Sequence, residues 1–155
     1  MRIDQVVKPN SRFMSKLASD VIDKIQSDAA AGKFQNGKSN YQYKNETYKS
    51  YKSNRMVGKT GVKLKAFRNQ SVNSQTSYID MNLTKRTLRG MRPTSNRNTA
   101  IVTYDRGEIV LGNAKRGYDI YDLSNKNKEF IVDRFNKEIL DRNIKKYTAK
   151  TTVIK

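Results

Sequence analysis

The chain has 155 residues, with 32 Lys+Arg against 14 Asp+Glu for a formal net charge of +18, and it contains no His, Cys or Trp. That composition excludes a thiol or imidazole nucleophile, a histidine general base, a disulfide framework and a structural zinc site. Any catalysis would fall to carboxylates, Lys, Ser/Thr or Tyr. Leu, Ile, Val and Phe together number 33, close to the level of roughly one residue in five below which a highly charged chain stays disordered.

The length fits a single domain spanning 1–155, within the common size range. No stretch approaches the roughly 20 apolar residues of a membrane span. Met1-Arg2-Ile3-Asp4 lacks the basic-then-apolar order of a secretory signal. The reading is therefore a soluble, intracellular product with no membrane role and a polyanionic partner, whether nucleic acid or an acidic protein surface.

From Asn10 to about Ala31 the residues Phe13, Met14, Leu17, Val21, Ile22 and Ile25 recur at spacings of three and four, one face of an amphipathic helix. Asn10 or Ser11 is placed to cap it and Gly32 to end it. Residues 33–76 read as an extended basic arm with no sustained period. Between 33 and 70 there are ten basic residues and one acid, Glu46, so this quarter of the chain carries half the net charge.

Beyond the arm, Tyr78 to Leu83 alternates as a half-buried strand would. Thr84 to Met91 reads as a short helical turn broken at Arg92-Pro93. The β-branched run at 99–104 and Glu108 to Gly112, joined by Asp105-Arg106-Gly107, predict a β-hairpin. From Ser124, an N-cap by residue type, the segment 125–147 aligns Phe130, Ile131, Phe135, Ile139, Leu140 and Ile144 on one helical face. Thr151-Thr152-Val153-Ile154 in the tail suits an added strand. The expected fold class is α+β: an N-terminal helix, a long basic arm, a small antiparallel sheet of about three strands and a C-terminal amphipathic helix.

Motifs for catalysis are thin. Gly58-Lys59-Thr60 ends like a phosphate-binding loop, but Ser53 stands where that motif needs its first Gly. Asp105 with Glu108, or Asp119 with Asp122, offers a carboxylate pair for Mg²⁺ and nuclease chemistry; turn formation and ordinary surface charge account for both pairs more simply. No catalytic residue, cofactor or metal site is expected.

Binding chemistry is better represented. The arm interleaves Tyr41, Tyr43, Tyr48 and Tyr51 with Lys44, Lys49 and Lys52, a pattern that serves either as protein-interface anchors or as base-stacking aromatics among cations. Arg55, Lys59, Lys63, Lys65 and Arg68 extend the basic surface, and Lys85, Arg86, Arg89 and Arg92 form a second cluster without an acid. Both are candidates for contact with DNA or with a partner.

The order of parts resembles a family of tailed-bacteriophage neck proteins, the virion morphogenesis, head–tail connector or tail completion proteins. The resemblance lies in Tyr48-Lys49-Ser50-Tyr51-Lys52, in Met81-Asn82-Leu83-Thr84 with Leu88 and Met91, in the 99–112 segment, and in Arg116 to Ser124 leading into the last helix. It departs at Lys85, where the family prefers Gly, and in lacking the family's Pro near Arg116. The resemblance implies a structural virion protein at the head–tail junction, assembled in the host cytoplasm. It implies a homo-oligomeric ring of about six or twelve copies, with portal or adaptor and tail proteins as neighbours and non-specific DNA contact as the genome passes. The alternative is a stand-alone basic nucleic-acid-binding protein acting in DNA packaging or regulation.

Overall fold

The computed structural model describes residues 9–80, 86–96 and 98–151. Helix α1 spans Ser11–Ala30 and starts at Asn10, whose side chain accepts the Phe13 N–H at 2.8 Å. It stops in a Schellman turn: the Lys33 N–H donates to the Asp28 carbonyl and the Gly32 N–H to the Ala29 carbonyl. Gly32 sits at φ +70°, and a Cβ there would lie 2.4 Å from the Tyr78 ring. Both the backbone angle and the close approach of Tyr78 thus require glycine.

The inner face of α1 buries Leu17, Val21, Ile22, Ile25 and Ala29. Phe34, Leu88, Met91, Val110 and Ile120 close over its C-terminal half to form the apolar core. Strands β1 (Met91–Ser95) and β2 (Ala100–Tyr104) form an antiparallel hairpin that packs on α1, with Met91 opposite Tyr104 and Ser95 opposite Ala100. Its turn is closed by Asn96, whose side-chain oxygen accepts the N–H groups of Asn98 and Thr99 at 2.8 Å each.

The expected sheet of three strands does not form: the described residues hold five α-helices and a two-stranded sheet. The hairpin pairs 100–104 with the segment before it rather than with 108–112. Pro93, which looked like a breaker, lies within β1 opposite Val102. A two-stranded sheet has only edge strands, where a residue without an N–H is tolerated. Gly107–Lys115 forms helix α4 instead of a strand, with Val110 completely buried while Ile109 and Leu111 stay exposed. A short apolar run has no decisive period of its own, and one inward side chain per two turns suffices for a helix laid across the core. Tyr78–Asp80 form no strand, and residues 81–85 lie outside the described ones.

Short helices interrupt what read as an arm. Helix α2 (Glu46–Ser53) is capped by Asn45, which accepts the Tyr48 N–H at 2.8 Å. A 3-10 turn follows at Lys65–Phe67, and helix α3 (Arg86–Arg89) precedes β1. Helix α5 runs Asn125–Thr151, and Ser124 Oγ accepts the Asn127 N–H at 3.3 Å. It packs on α1 through the rings of Phe13 and Phe135 and through the ion pair of Asp20 with Arg134 at 2.6 Å. Its expected apolar face is only partly inward: Phe130, Ile131, Phe135 and Ile139 are half-buried, while Leu140 and Ile144 are exposed. The expected tail strand at 151–154 begins inside α5 at Thr151, and the residues after it lie outside the described ones.

Candidate functional site

The arm's tyrosines and lysines divide into inward and outward sets. Tyr41 is wedged between Phe34 and Tyr118, with ring centroids 5.7 Å and 5.0 Å away and the Tyr118 contact edge-on. The turn at Gly117 (φ +91°) makes room for it, since a Cβ there would stand 2.9 Å from the Tyr41 hydroxyl. Tyr41 is therefore half-buried and packed against the core. Tyr43 packs on Tyr48 at 5.5 Å. Tyr51 is half-buried.

Lys52 is the largest departure from the surface reading. Its side chain is fully buried, and its ammonium donates to Asp80 Oδ1 at 2.7 Å and to the Tyr43 hydroxyl at 2.5 Å while lying 4.8 Å from the Tyr43 ring centre. Asn73 Nδ2 donates to the other oxygen of Asp80, also at 2.7 Å. Burial first, and then the negative charge of Asp80, holds the Tyr43 hydroxyl well above the usual phenol range; the same two causes raise Tyr48. Helix α2 presents Lys52 to this cluster, and the extended stretch 71–80 supplies Asn73 and Asp80.

The remaining basic candidates stay outside. Lys44, Arg55, Lys59, Lys65 and Arg68 are exposed. Lys49 is half-buried and lies 3.8 Å from Glu46. Lys63 donates to the Gln70 carbonyl at 2.6 Å, tying down the loop that it begins. In the second cluster Arg86 and Arg89 are exposed on α3, Arg92 pairs with Asp105 at 3.3 Å, and Lys85 lies outside the described residues.

The arrangements weighed for catalysis lie in turns and loops, Glu108 at the start of α4 excepted. Gly58-Lys59-Thr60 is the tip of a tight turn, closed by the Gly58 N–H to the Val62 carbonyl and by pairing of Val57 with Lys63, and no helix follows it as a phosphate loop requires. Asp105 is engaged by Arg92, and the Asp119 carboxylate accepts the N–H groups of Tyr121 and Asp122. Among the described residues no three His, Cys, Asp or Glu side chains come together to hold a metal.

A groove of about 1130 Å³ runs between α1, β2 and the start of α5, walled by Leu17, Val21, Ile101, Tyr104, Tyr121 and Phe135. None of the arm's tyrosines or basic residues lines it. Sequence reasoning missed Asp80, Asn73 and the buried pair Gln35 and Asn127, in which Gln35 Oε1 accepts Asn127 Nδ2 at 2.7 Å and the Ser124 N–H at 3.0 Å. A signal for Asp80 was present: it is the only acid between Glu46 and Asp105, in a stretch crowded with lysine and arginine. No protein-family model, curated protein or solved structure matches this chain.

Proposed function

We propose that the chain is a non-enzymatic structural protein of a tailed-phage neck, built into a ring at the junction of head and tail and assisting completion of the particle and passage of the genome. The observation that carries this reading is the set of large apolar side chains left outside the core. Ile109 and Leu111 on α4, Tyr121 before α5, and Val132 and Leu140 on α5 are each about half exposed. Exposed apolar side chains are surface that contact with other proteins would cover, and a small, thinly cored subunit gains stability by burying them against neighbours. The neck resemblance over residues 41–146 supplies the setting, with about six or twelve copies per ring and portal or adaptor and tail proteins on either side. The exposed lysines and arginines of the arm suit a lumen through which DNA phosphates pass without being read.

Introducing a stop codon in the gene of the parent phage tests this. DNA-filled heads and separate tails are expected by electron microscopy, with joining restored when the chain is supplied in trans. Intact tailed particles lacking the chain would overturn the reading.

A second reading, a stand-alone nucleic-acid-binding protein, is favoured by the absence of any acid from 47 to 79, where Arg55, Lys59, Lys65 and Arg68 are exposed. If it holds, duplex affinity of the isolated chain drops by about 10³ or more between about 50 and 200 mM salt, as expected for several phosphate contacts. A neck subunit held mainly by its protein neighbours binds free duplex weakly throughout that range.

A further inference from the structure

The hairpin has one blocked edge and one open one. The Asn96 N–H donates to the Thr99 carbonyl and the Asp105 N–H to the Gly90 carbonyl. By the alternation of an antiparallel pair, the backbone groups of Ile101 and Thr103 then bond to β1, and the N–H and C=O groups of Ala100, Val102 and Tyr104 point to the outer side of β2. Among the described residues no hydrogen bond engages these groups. On the outer side of β1 the matching position is Pro93, which has no N–H to offer a further strand. The groove of about 1130 Å³ lies along the open edge: Ala100, Ile101, Val102 and Tyr104 line it together with Leu17 of α1 and Phe135 of α5, and no residue of β1 does.

Helix α5 lines this groove only as far as Phe135. It runs antiparallel to α1, since Lys24 lies over the Phe130 ring, Asp20 pairs with Arg134 and Phe13 packs on Phe135; beyond Phe135 it has passed the start of α1. At about 1.5 Å per residue, residues 136–151 carry it roughly 24 Å further, and Leu140 on this stretch is 60% exposed. Thr152, Val153 and Ile154 follow, an unbroken β-branched run. Fully extended at about 3.4 Å per residue, residues 152–155 span about 14 Å, too little to return to the groove of their own copy.

We propose that the groove and the open edge of β2 receive the end of α5 from a second copy of the chain, with residues 152–155 of that copy pairing with Ala100–Tyr104 as an added strand. Backbone pairing along the open edge supplies the affinity, and the apolar groove takes alternate side chains of the incoming strand. The giving and receiving surfaces differ, so the contact is head-to-tail and every copy can do both. Contacts of that kind close into a ring or run on as a filament. The inference deepens the neck reading by naming the joint between copies, and it rests on that reading for closure into a ring.

Sedimentation velocity of the full chain tests it, in salt high enough to screen the net charge of +18. The full chain is expected to associate as its concentration rises, and a chain stopped after Thr151 to remain a monomer throughout. Val102→Pro removes the central N–H of the open edge, one that the hairpin does not use, and is expected to abolish association as well. Mixed together, the Val102→Pro chain, which keeps the giving end, and the stopped chain, which keeps the groove, are expected to form a complex of one copy of each and nothing larger. If circular dichroism shows Val102→Pro to be unfolded, fluorescence anisotropy of a labelled peptide of residues 148–155 decides in its place, with binding to the stopped chain expected. A full chain that stays monomeric up to its solubility limit overturns the proposal. So does association that survives either change in a folded chain, or absence of the mixed complex, or of peptide binding where the peptide decides. The phage experiment is read in whole particles, so failure of this joint and failure of the neck reading are told apart.

Discussion

Around α1 the fully or nearly fully buried side chains are Ile25, Ala29, Val110 and Ile120; around α2 they are Lys52 and Asp80, with Met56 and Val72 beside them in the same part of the chain. The first region is held by apolar burial, which tolerates small shifts because it has no direction. The second is organised by hydrogen bonds and charge at fixed distances, so it keeps one arrangement or loses it altogether. The basic arm, read from composition alone, has nothing of its own to bury. The structure shows that it does bury something, and that a lysine is its most enclosed side chain.

Breaking each region by its own means gives the largest contrast. Asp80→Ala leaves the Lys52 ammonium uncompensated and is expected to cost about 3 to 5 kcal/mol, with amide hydrogen exchange rising across 46–64 while α1 stays protected. Ile25→Ala is expected to cost about 2 to 5 kcal/mol, measured by urea unfolding, and to loosen α1 and the hairpin together. Unchanged exchange in α2 after Asp80→Ala would show that the ion pair does not hold the arm.

Alkali separates the regions next. Tyr104 donates to the Ile120 carbonyl at 2.7 Å, and burial, with Asp119, Tyr121 and Asp122 nearby, pushes its hydroxyl up to about 12. The folded chain therefore holds this proton more tightly than the unfolded chain, in which tyrosine titrates near 10. Its contribution is complete below about pH 10 and is lost as pH rises through about 12. Tyr104→Phe should flatten that part of the stability curve, followed by circular dichroism, while leaving the alkaline response of the Tyr43 cluster in place.

The smallest effect runs the other way. Arg55 and Met56 close α2 at φ +52° and +59°, left-handed positions without glycine, and the Met56 N–H donates to the Tyr51 carbonyl at 2.6 Å. A left-handed residue with a Cβ costs roughly 1 to 2 kcal/mol. Arg55→Gly is therefore expected to stabilise the arm by about 1 kcal/mol after the entropy of the added glycine is subtracted. A rise in midpoint temperature of roughly 2 to 4 °C would register it.

What could be read from the sequence was local. Asn10, the spacing of Leu17 to Ile25 and the Gly32 stop define α1 from adjacent residues, and Ser124 marks the start of α5 in the same way. Where the deciding partner lay far along the chain, the sequence reading went astray. Lys52 looked like surface because Asp80 is 28 residues away, and the packing of Tyr41 on Tyr118 was hidden because Tyr118 lies on the far side of the hairpin. The 108–112 run looked like a strand because nothing near it showed that β2 was already paired. Of the candidate basic surface, the residues without a long-range partner, such as Lys59 and Arg68, are where composition placed them.

The joint between α1 and α5 also sets an order in time. Asp20 waits for Arg134, 114 residues later, and Gln35 for Asn127, 92 residues later. During synthesis at roughly 5 to 20 residues per second, α1 spends on the order of ten seconds with its apolar face uncovered. Its early neighbour is the arm, whose many lysines discourage association between nascent chains until the hairpin and α5 arrive.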